Sequence, residues 1–208
     1  TIEHLLASFY ITGIDNVIVE LDNQEIPIMD GSSKDFISII NKAGIKTQNS
    51  KRKFLKIVEK VELEENGRTI SVEPSDNHFE VNFQLDYSNK LIGKQKNSVN
   101  FSDKNLENIY SSRTFCLFED IEKIKKNGLA KGGSLDNAVV VDKDKIINKE
   151  GLRNDKEFVN HKILDLAGDF FLSGGRILGK VKCRQGGHEL TNMFLRKIFS
   201  QSNKLGNN

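Results

Sequence analysis

The apolar positions of this chain change period several times, and each change predicts an element. Leu5, Leu6 and Phe9 recur at helical spacing behind Thr1, a residue suited to cap a helix start, until Gly13 stops the run. Asn16 to Leu21 is a compact apolar run and predicts a buried strand. Ile26 to Met29 is a second short run, closed by the turn pair Asp30-Gly31. Ser33 then predicts a cap for a helix with Phe36, Ile37, Ile40 and Ala43 on its inner face and Gly44 at its end. Lys46 to Arg52 has no period and predicts a linker.

After the linker the pattern restarts. Phe54 to Leu63 is strand-like, Asn66-Gly67 predicts a tight hairpin, and Thr69 to Glu73 returns. Phe79, Val81, Phe83, Leu85 and Tyr87 alternate as a half-buried strand should. Asn89 to Ser98 predicts a loop, Val99 to Phe101 a short strand and Asp103 to Ser112 a helix. Arg113 to Phe118 is extended, and Asp120 to Asn127 is a short helix stopped by Gly128. A Gly132-Gly133 loop leads to the strand Ala138 to Asp142. Asn154, with Glu157 three residues on, predicts a capping box for the longest helix, Asp155 to Leu172, which Gly174-Gly175 ends. Ile177 to Cys183 is a strand, Gly186-Gly187 a turn, and Glu189 to Phe199 a final helix before a polar tail, 201–208. This order of strands and helices points to an α+β fold rather than a doubly wound sheet.

Composition narrows the class. The 208 residues suit one large domain or two small ones, and 37% hydrophobic, 29% charged and a net charge of +2 are ordinary for a soluble globular protein. That balance excludes the basic footprint of a nucleic-acid coat, and the clusters at Lys51-Arg52-Lys53 and Lys123 to Lys126 read as solvated surface. Cys116 and Cys183 show no paired spacing, so both are expected to be small buried hydrophobes in a reducing compartment. No apolar run approaches the roughly 20 residues of a membrane helix, and no signal peptide is visible, so a cytoplasmic protein is expected. The chain opens on Thr1 and enters an apolar helix at once, which predicts a piece of a longer protein.

The chemistry concentrates in three places. His161, Asp165 and Asp169 fall at i, i+4 and i+8, along one face of a helix that is otherwise apolar. A carboxylate buried there needs a cation, a donor network or a metal, and a His and an Asp one turn apart can share a zinc ion. The rival reading is a satisfied core ion pair. Glu3-His4 is a second candidate, because a ligand His beside a Glu recurs where an activated water needs a base. The third is His188, on a tight turn at a helix start; His78 is expected at the surface. Together the residues fit one set of roles. His4, His161 and Asp165 hold zinc, Glu3 takes a proton from water, His188 oriented by Asp169 stabilises the oxyanion and protonates the leaving amine, and Thr114 adds a hydroxyl donor.

Several blocks carry a resemblance. Thr1-Ile2-Glu3-His4-Leu5, Gly13-Ile14-Asp15-Asn16, Glu25 through Ser32, Arg113-Thr114-Phe115, Gly132-Gly133-Ser134, Gly151-Leu152-Arg153, the run from Glu157 to Asp169 and Gly187-His188 resemble, in order, the UDP-3-O-acyl-N-acetylglucosamine deacetylase family. The resemblance implies hydrolysis of the acetamide of UDP-3-O-(3-hydroxyacyl)-N-acetylglucosamine, the committed step of lipid A synthesis. It also implies a monomer of two domains with similar topology, each a sheet with paired helices, and zinc in the cleft between them. The first domain would be residues 1–47, lacking its N-terminal strands, and the second 53–200, with an insert at 124–142 that walls a passage for the acyl chain. The resemblance puts Lys162, Phe115, Asp86 and Tyr87 on the substrate. Two positions depart from the family pattern: Cys116 stands where a small residue is usual, and Gln185 where a Lys is, so Arg184 or Lys182 is expected to take over the diphosphate contact. A weakened piece of the enzyme, acting only to bind nucleotide sugar or acyl chain, is the alternative. On either reading, residues 1–208 alone are expected to have an open sheet edge and to bind zinc weakly or fold poorly.

Overall fold

A computed structural model describes residues 2–126, 132–201 and 205–207, and its architecture is α+β. The apolar alternation of β4 (Phe79–Asp86) buries Phe79, Val81, Phe83 and Leu85 on one side of a seven-stranded sheet. β9 (Arg176–Arg184) is its central strand. It pairs in parallel with β1 (Phe54–Ile57) through residues 176–178, then with β3 (Arg68–Pro74) on one edge and β4 on the other. β2 (Val61–Glu65) lies outside β3, and β5 (Lys94–Asn100) outside β4. The Asn66-Gly67 hairpin forms as expected, with both residues at positive φ, 52° and 73°. β6 (Phe115–Leu117), β7 (Val139–Asp142) and β8 (Lys145–Ile146) make a second, three-stranded sheet.

One face of the large sheet carries α5 (Glu157–Phe171) and α6 (His188–Ser200), and α1 (Ile2–Thr12) lies across α5 with α2 (Lys34–Ala43) beside it. The main core fills the space between sheet and helices, from Val81 and Phe83 to Ile163, Phe170 and Phe194. A smaller cluster of Leu5, Phe9 and Phe36 holds α1 to α2. Two short helices, α3 (Glu107–Tyr110) and α4 (Ile121–Lys126), complete the set.

Several expectations are corrected. Asn16 to Leu21 forms no strand: it pairs with no strand among the described residues, and Ile18 is 90% exposed. Backbone amides without a ladder partner stay with water, and the side chains stay with them. Phe54 to Leu63 splits into β1 and β2, because the first half joins β9 and the second turns back on β3. β5 is longer than expected and mostly polar, as suits an edge strand paired on one side only. The helix expected over Asp103 to Ser112 shrinks to α3, where Asn100 and Asn105 side chains accept backbone N–H bonds and hold local turns instead. β8 and β10 (Leu205–Asn207) were not anticipated; β10 adds to β1 from within the polar tail. Cys116 is only half-buried, and Ala43 faces solvent. His78 is half-buried rather than at the surface, because its Nδ1 packs against Ser75 and Asn77. Thr1, Gly128 and part of the 124–142 insert lie outside the described residues.

Candidate metal centre

α5 is buried along most of its length, so every polar group on it must find a partner inside the protein. Its site face carries His161, Asp165 and Asp169. α1 can reach that face because position 168 is glycine. A Cβ there would sit 2.0 Å from the Glu3 carbonyl oxygen, so any side chain would push the helices apart. The far end of α1 is fixed too. Gly13, at φ +81°, closes it with bonds from Gly13 N to Tyr10 O and Ile14 N to Phe9 O, and the Arg176 guanidinium donates to the Tyr10 and Phe9 carbonyls. Near its start, the Ser33 hydroxyl donates to the His4 carbonyl at 2.6 Å, which is why it caps no helix; the Ser32 hydroxyl accepts from Lys34 N instead.

The result is convergence. Asp165 Oδ1 lies 3.2 Å from His161 Nε2 and 3.5 Å from His4 Nε2, and the two imidazoles meet edge to face at 5.1 Å. His4, His161 and Asp165 are all buried. His161 Nδ1 is 3.0 Å from the Ser112 carbonyl, which can only accept, so Nε2 is left to face the carboxylate as a lone-pair donor. Neither contact to Asp165 Oδ1 has hydrogen-bond geometry, and that oxygen is buried without a partner, as is His4 Nδ1. Two imidazole nitrogens and an orphaned carboxylate oxygen around one point suit a divalent cation such as zinc.

The surroundings set charge. Burial pushes the Asp165 carboxyl up, but the neighbouring His161 and Lys162 overcome it and hold it well below the usual range. Lys162 donates to Asp165 Oδ2 at 2.9 Å; burial lowers its pKa, and the Asp165 charge more than restores it. Burial lowers His161, helped by the nearby His4 and Lys162 charges, and together they outweigh Asp165. Glu3 feels burial first, yet a hydrogen bond from its own backbone and the proximity of His4 leave it below the ordinary value.

His188 enters from the start of α6. Gly186 permits the tight approach, since a Cβ there would lie 2.2 Å from Cys183 Sγ. His188 Nδ1 bonds both oxygens of Asp169, at 2.9 and 3.0 Å, and Nε2 stands 3.8 Å from Glu3 Oε1. The Asp169 bond pushes His188 up to about 9, while burial raises Asp169 itself. A site of this kind can hold a cation and move a proton on either side of it.

The other expected residues are distributed unevenly. Tyr87 and Phe115 stack edge to face at 5.7 Å, and Lys162 Nζ lies 5.8 Å from the Phe115 ring, so these three share one wall. Asp86 is exposed and 3.4 Å from Lys94. Thr114 is fixed by its backbone, donating to Gly31 O and accepting from Val139 N. Arg184 and Lys182 do not reach the site: alternation along β9 turns them to the outer sheet face, beside Thr69, Ser71 and Gln84, where Lys182 binds Glu73. Gln185, at φ +54°, instead clasps the Asp86 backbone, accepting from its N–H at 2.6 Å and donating to its carbonyl at 2.5 Å. The capping box at Asn154 and Glu157 is also corrected. Glu157 is fully buried and binds Arg113 as well as Arg153 N, and Asn154 Oδ1 accepts from Lys156 N, so the two side chains hold the turn before α5 without closing a reciprocal box. Nothing in sequence spacing announces the pair of Arg113 and Glu157, whose members are 44 residues apart.

Comparison with known proteins places the chain in a family. A model of the UDP-3-O-acyl N-acetylglycosamine deacetylase family matches residues 1–200. The chain belongs to that family. Proteins called UDP-3-O-acyl-N-acetylglucosamine deacetylase from Pseudoalteromonas translucida, Psychrobacter cryohalolentis and Idiomarina loihiensis are 45%, 42% and 42% identical to it. The alignments cover 96%, 98% and 97% of this chain but 67%, 64% and 66% of those relatives. The chain thus spans about two thirds of the length of the curated relatives it matches. No described helix is long and apolar enough to cross a membrane.

Proposed function

We propose that this chain carries the centre of a zinc-dependent amide hydrolase acting on the acetamide of UDP-3-O-(3-hydroxyacyl)-N-acetylglucosamine, releasing acetate and the free amine. The single observation that carries the reading is Asp165 Oδ1, buried, without a hydrogen bond, and facing two imidazole nitrogens. His4, His161 and Asp165 would hold the ion. When bound, zinc supplies Lewis acidity that polarises an amide carbonyl and acidifies water.

The chain's own residues do the rest. Glu3, kept ionised, takes a proton from the water whose oxygen adds to the acetyl carbon. His188, kept protonated by Asp169, gives its proton to the nitrogen as the C–N bond breaks, so the sugar leaves as an amine. Thr114 offers a hydroxyl to the developing oxyanion, and the Lys162, Phe115 and Tyr87 wall, with Asp86 at its rim, orients the substrate. Residues 1–47 and 53–200 form the two units between which the substrate lies, and a nucleotide-sugar substrate fits a cytoplasmic enzyme.

Metal analysis tests the reading. About one zinc per chain is expected, lost in His161→Ala and in Asp165→Ala. A metal-free chain, or one whose metal survives both substitutions, sinks it. Deacetylation that persists in Glu3→Ala and His188→Ala overturns the proton-transfer roles, and substrate binding without turnover in the zinc-loaded chain makes it a binding module.

A further inference from the structure

We propose that Arg113 and Glu157 are positioning residues that set the tautomer of His161, an inference resting on the metal reading above. The argument turns on one peptide plane. The carbonyl of Ser112 accepts from His161 Nδ1 at 3.0 Å, and the N–H at the other edge of the same peptide, that of Arg113, donates to Glu157 Oε1 at 3.0 Å. A trans peptide holds its C=O and N–H in one plane and in opposed directions, so fixing the N–H aims the carbonyl. Glu157 and His161 are four residues apart on α5, and the helix therefore grips both edges of the same plane.

Glu157 is itself immobilised. Its Oε1 accepts from Arg113 Nε at 2.9 Å, and its Oε2 accepts from Arg113 Nη2 at 3.3 Å and from Arg153 N at 2.6 Å. Arg113, 1% exposed, also donates to Glu150 and to the Gly151 carbonyl. A buried ion pair of this completeness would serve as structural glue anywhere in the fold. Its placement around the peptide that His161 addresses gives it a second consequence. With the carbonyl held, Nδ1 keeps the hydrogen and Nε2 keeps its lone pair for the cation; with the carbonyl free to turn, the other tautomer becomes accessible and zinc must displace a proton to bind.

Long-range nitrogen–proton NMR of the metal-free full chain reads the tautomer directly, and chelator competition reads zinc affinity. Wild type is expected to show His161 protonated at Nδ1. The double variant Arg113→Met/Glu157→Met replaces the pair with apolar side chains of similar volume, which folds commonly tolerate, but leaves the peptide N–H without its acceptor. It should show mixed tautomers and zinc binding weaker by about 10-fold or more. Glu157→Gln keeps an acceptor oxygen and should restore the Nδ1 tautomer, with affinity within about threefold of wild type. Arg176→Met, which loosens a buried arginine away from this peptide, should leave the tautomer unchanged. A wild-type Nε2 tautomer overturns the proposal, as does a folded double variant that keeps Nδ1–H or binds zinc as tightly as wild type. Failure of wild type to bind zinc would overturn the function instead, since the tautomer is measured without metal.

Discussion

Residues 16–21 and 79–86 carry apolar side chains at similar density and end in opposite environments. Phe83 is 1% exposed in the core between sheet and α5, whereas Ile18 is 90% exposed. The difference lies in partners: β4 is flanked by β9 and β5, and 16–21 by no described strand. A strand is a property of a pair. The candidate site depends on both kinds of region, since His161, Asp165, Asp169 and His188 rise from the packed body, while Glu3 and His4 stand on α1, which leads into the unpaired stretch. What steadies α1 is its seam with α5, more than the small Leu5, Phe9 and Phe36 cluster beside it.

The largest expected effect is in the packed region. Phe83→Ala removes a fully buried ring and should lower stability by about 3–5 kcal/mol in urea titration. A loss below about 1 kcal/mol would mean that β4 is no better supported than 16–21. Next comes the seam. Gly168→Ala puts a methyl group against the Glu3 carbonyl and should cost about 1–3 kcal/mol. It should also weaken zinc binding by an order of magnitude or so, because Glu3 and His4 move together away from Asp165. Unchanged zinc affinity would show that α1 is held by something other than its contact with α5.

A third test uses pH. His188 is raised to about 9 by the Asp169 bond, from an ordinary 6.5. The folded chain therefore holds this proton more tightly than the unfolded one. The stability it contributes is fully present below about pH 6.5 and is lost as pH rises through 9. Melting temperature should fall between pH 6.5 and 9.5, more steeply in wild type than in His188→Ala. Parallel curves would mean that the half-exposed pair is screened by solvent and adds nothing. If His188 is the acid, turnover also declines above pH 9, where it loses its proton.

What the sequence disclosed follows the same division. His161, Asp165 and Asp169 were legible as one face because the helix fixes their spacing, and β4 was legible because its alternation is complete. Glu157 reads locally as a cap and does accept from Arg153 N, but short-range pattern cannot see that Arg113, 44 residues away, also claims its carboxylate. The Asn89 to Ser98 segment hid most of β5, because an edge strand needs few apolar residues once β4 supplies the ladder. Gln185 looked like a lost cation, and only the fold reveals that its amide clasps Asp86 while Arg184 and Lys182 face the other side of the sheet. Long-range pairs decide these cases, and no local pattern encodes them.

The smallest expected effect is the sharpest test of the contrast. Ile18→Ser removes an apolar side chain that is 90% exposed, so it forfeits almost no buried area in this chain. Surface substitutions of that kind stay within about 0.5 kcal/mol, an order of magnitude below the Phe83→Ala cost. Burial of such a run would add roughly 25 cal/mol for each Å² removed from water. The same substitution therefore reports whether anything covers residues 16–21. In the isolated chain, stability should be unchanged and self-association reduced, as expected for an exposed apolar run. A loss of about 2 kcal/mol or more would require Ile18 to be packed in solution, and the two regions would then differ in partner rather than in having one.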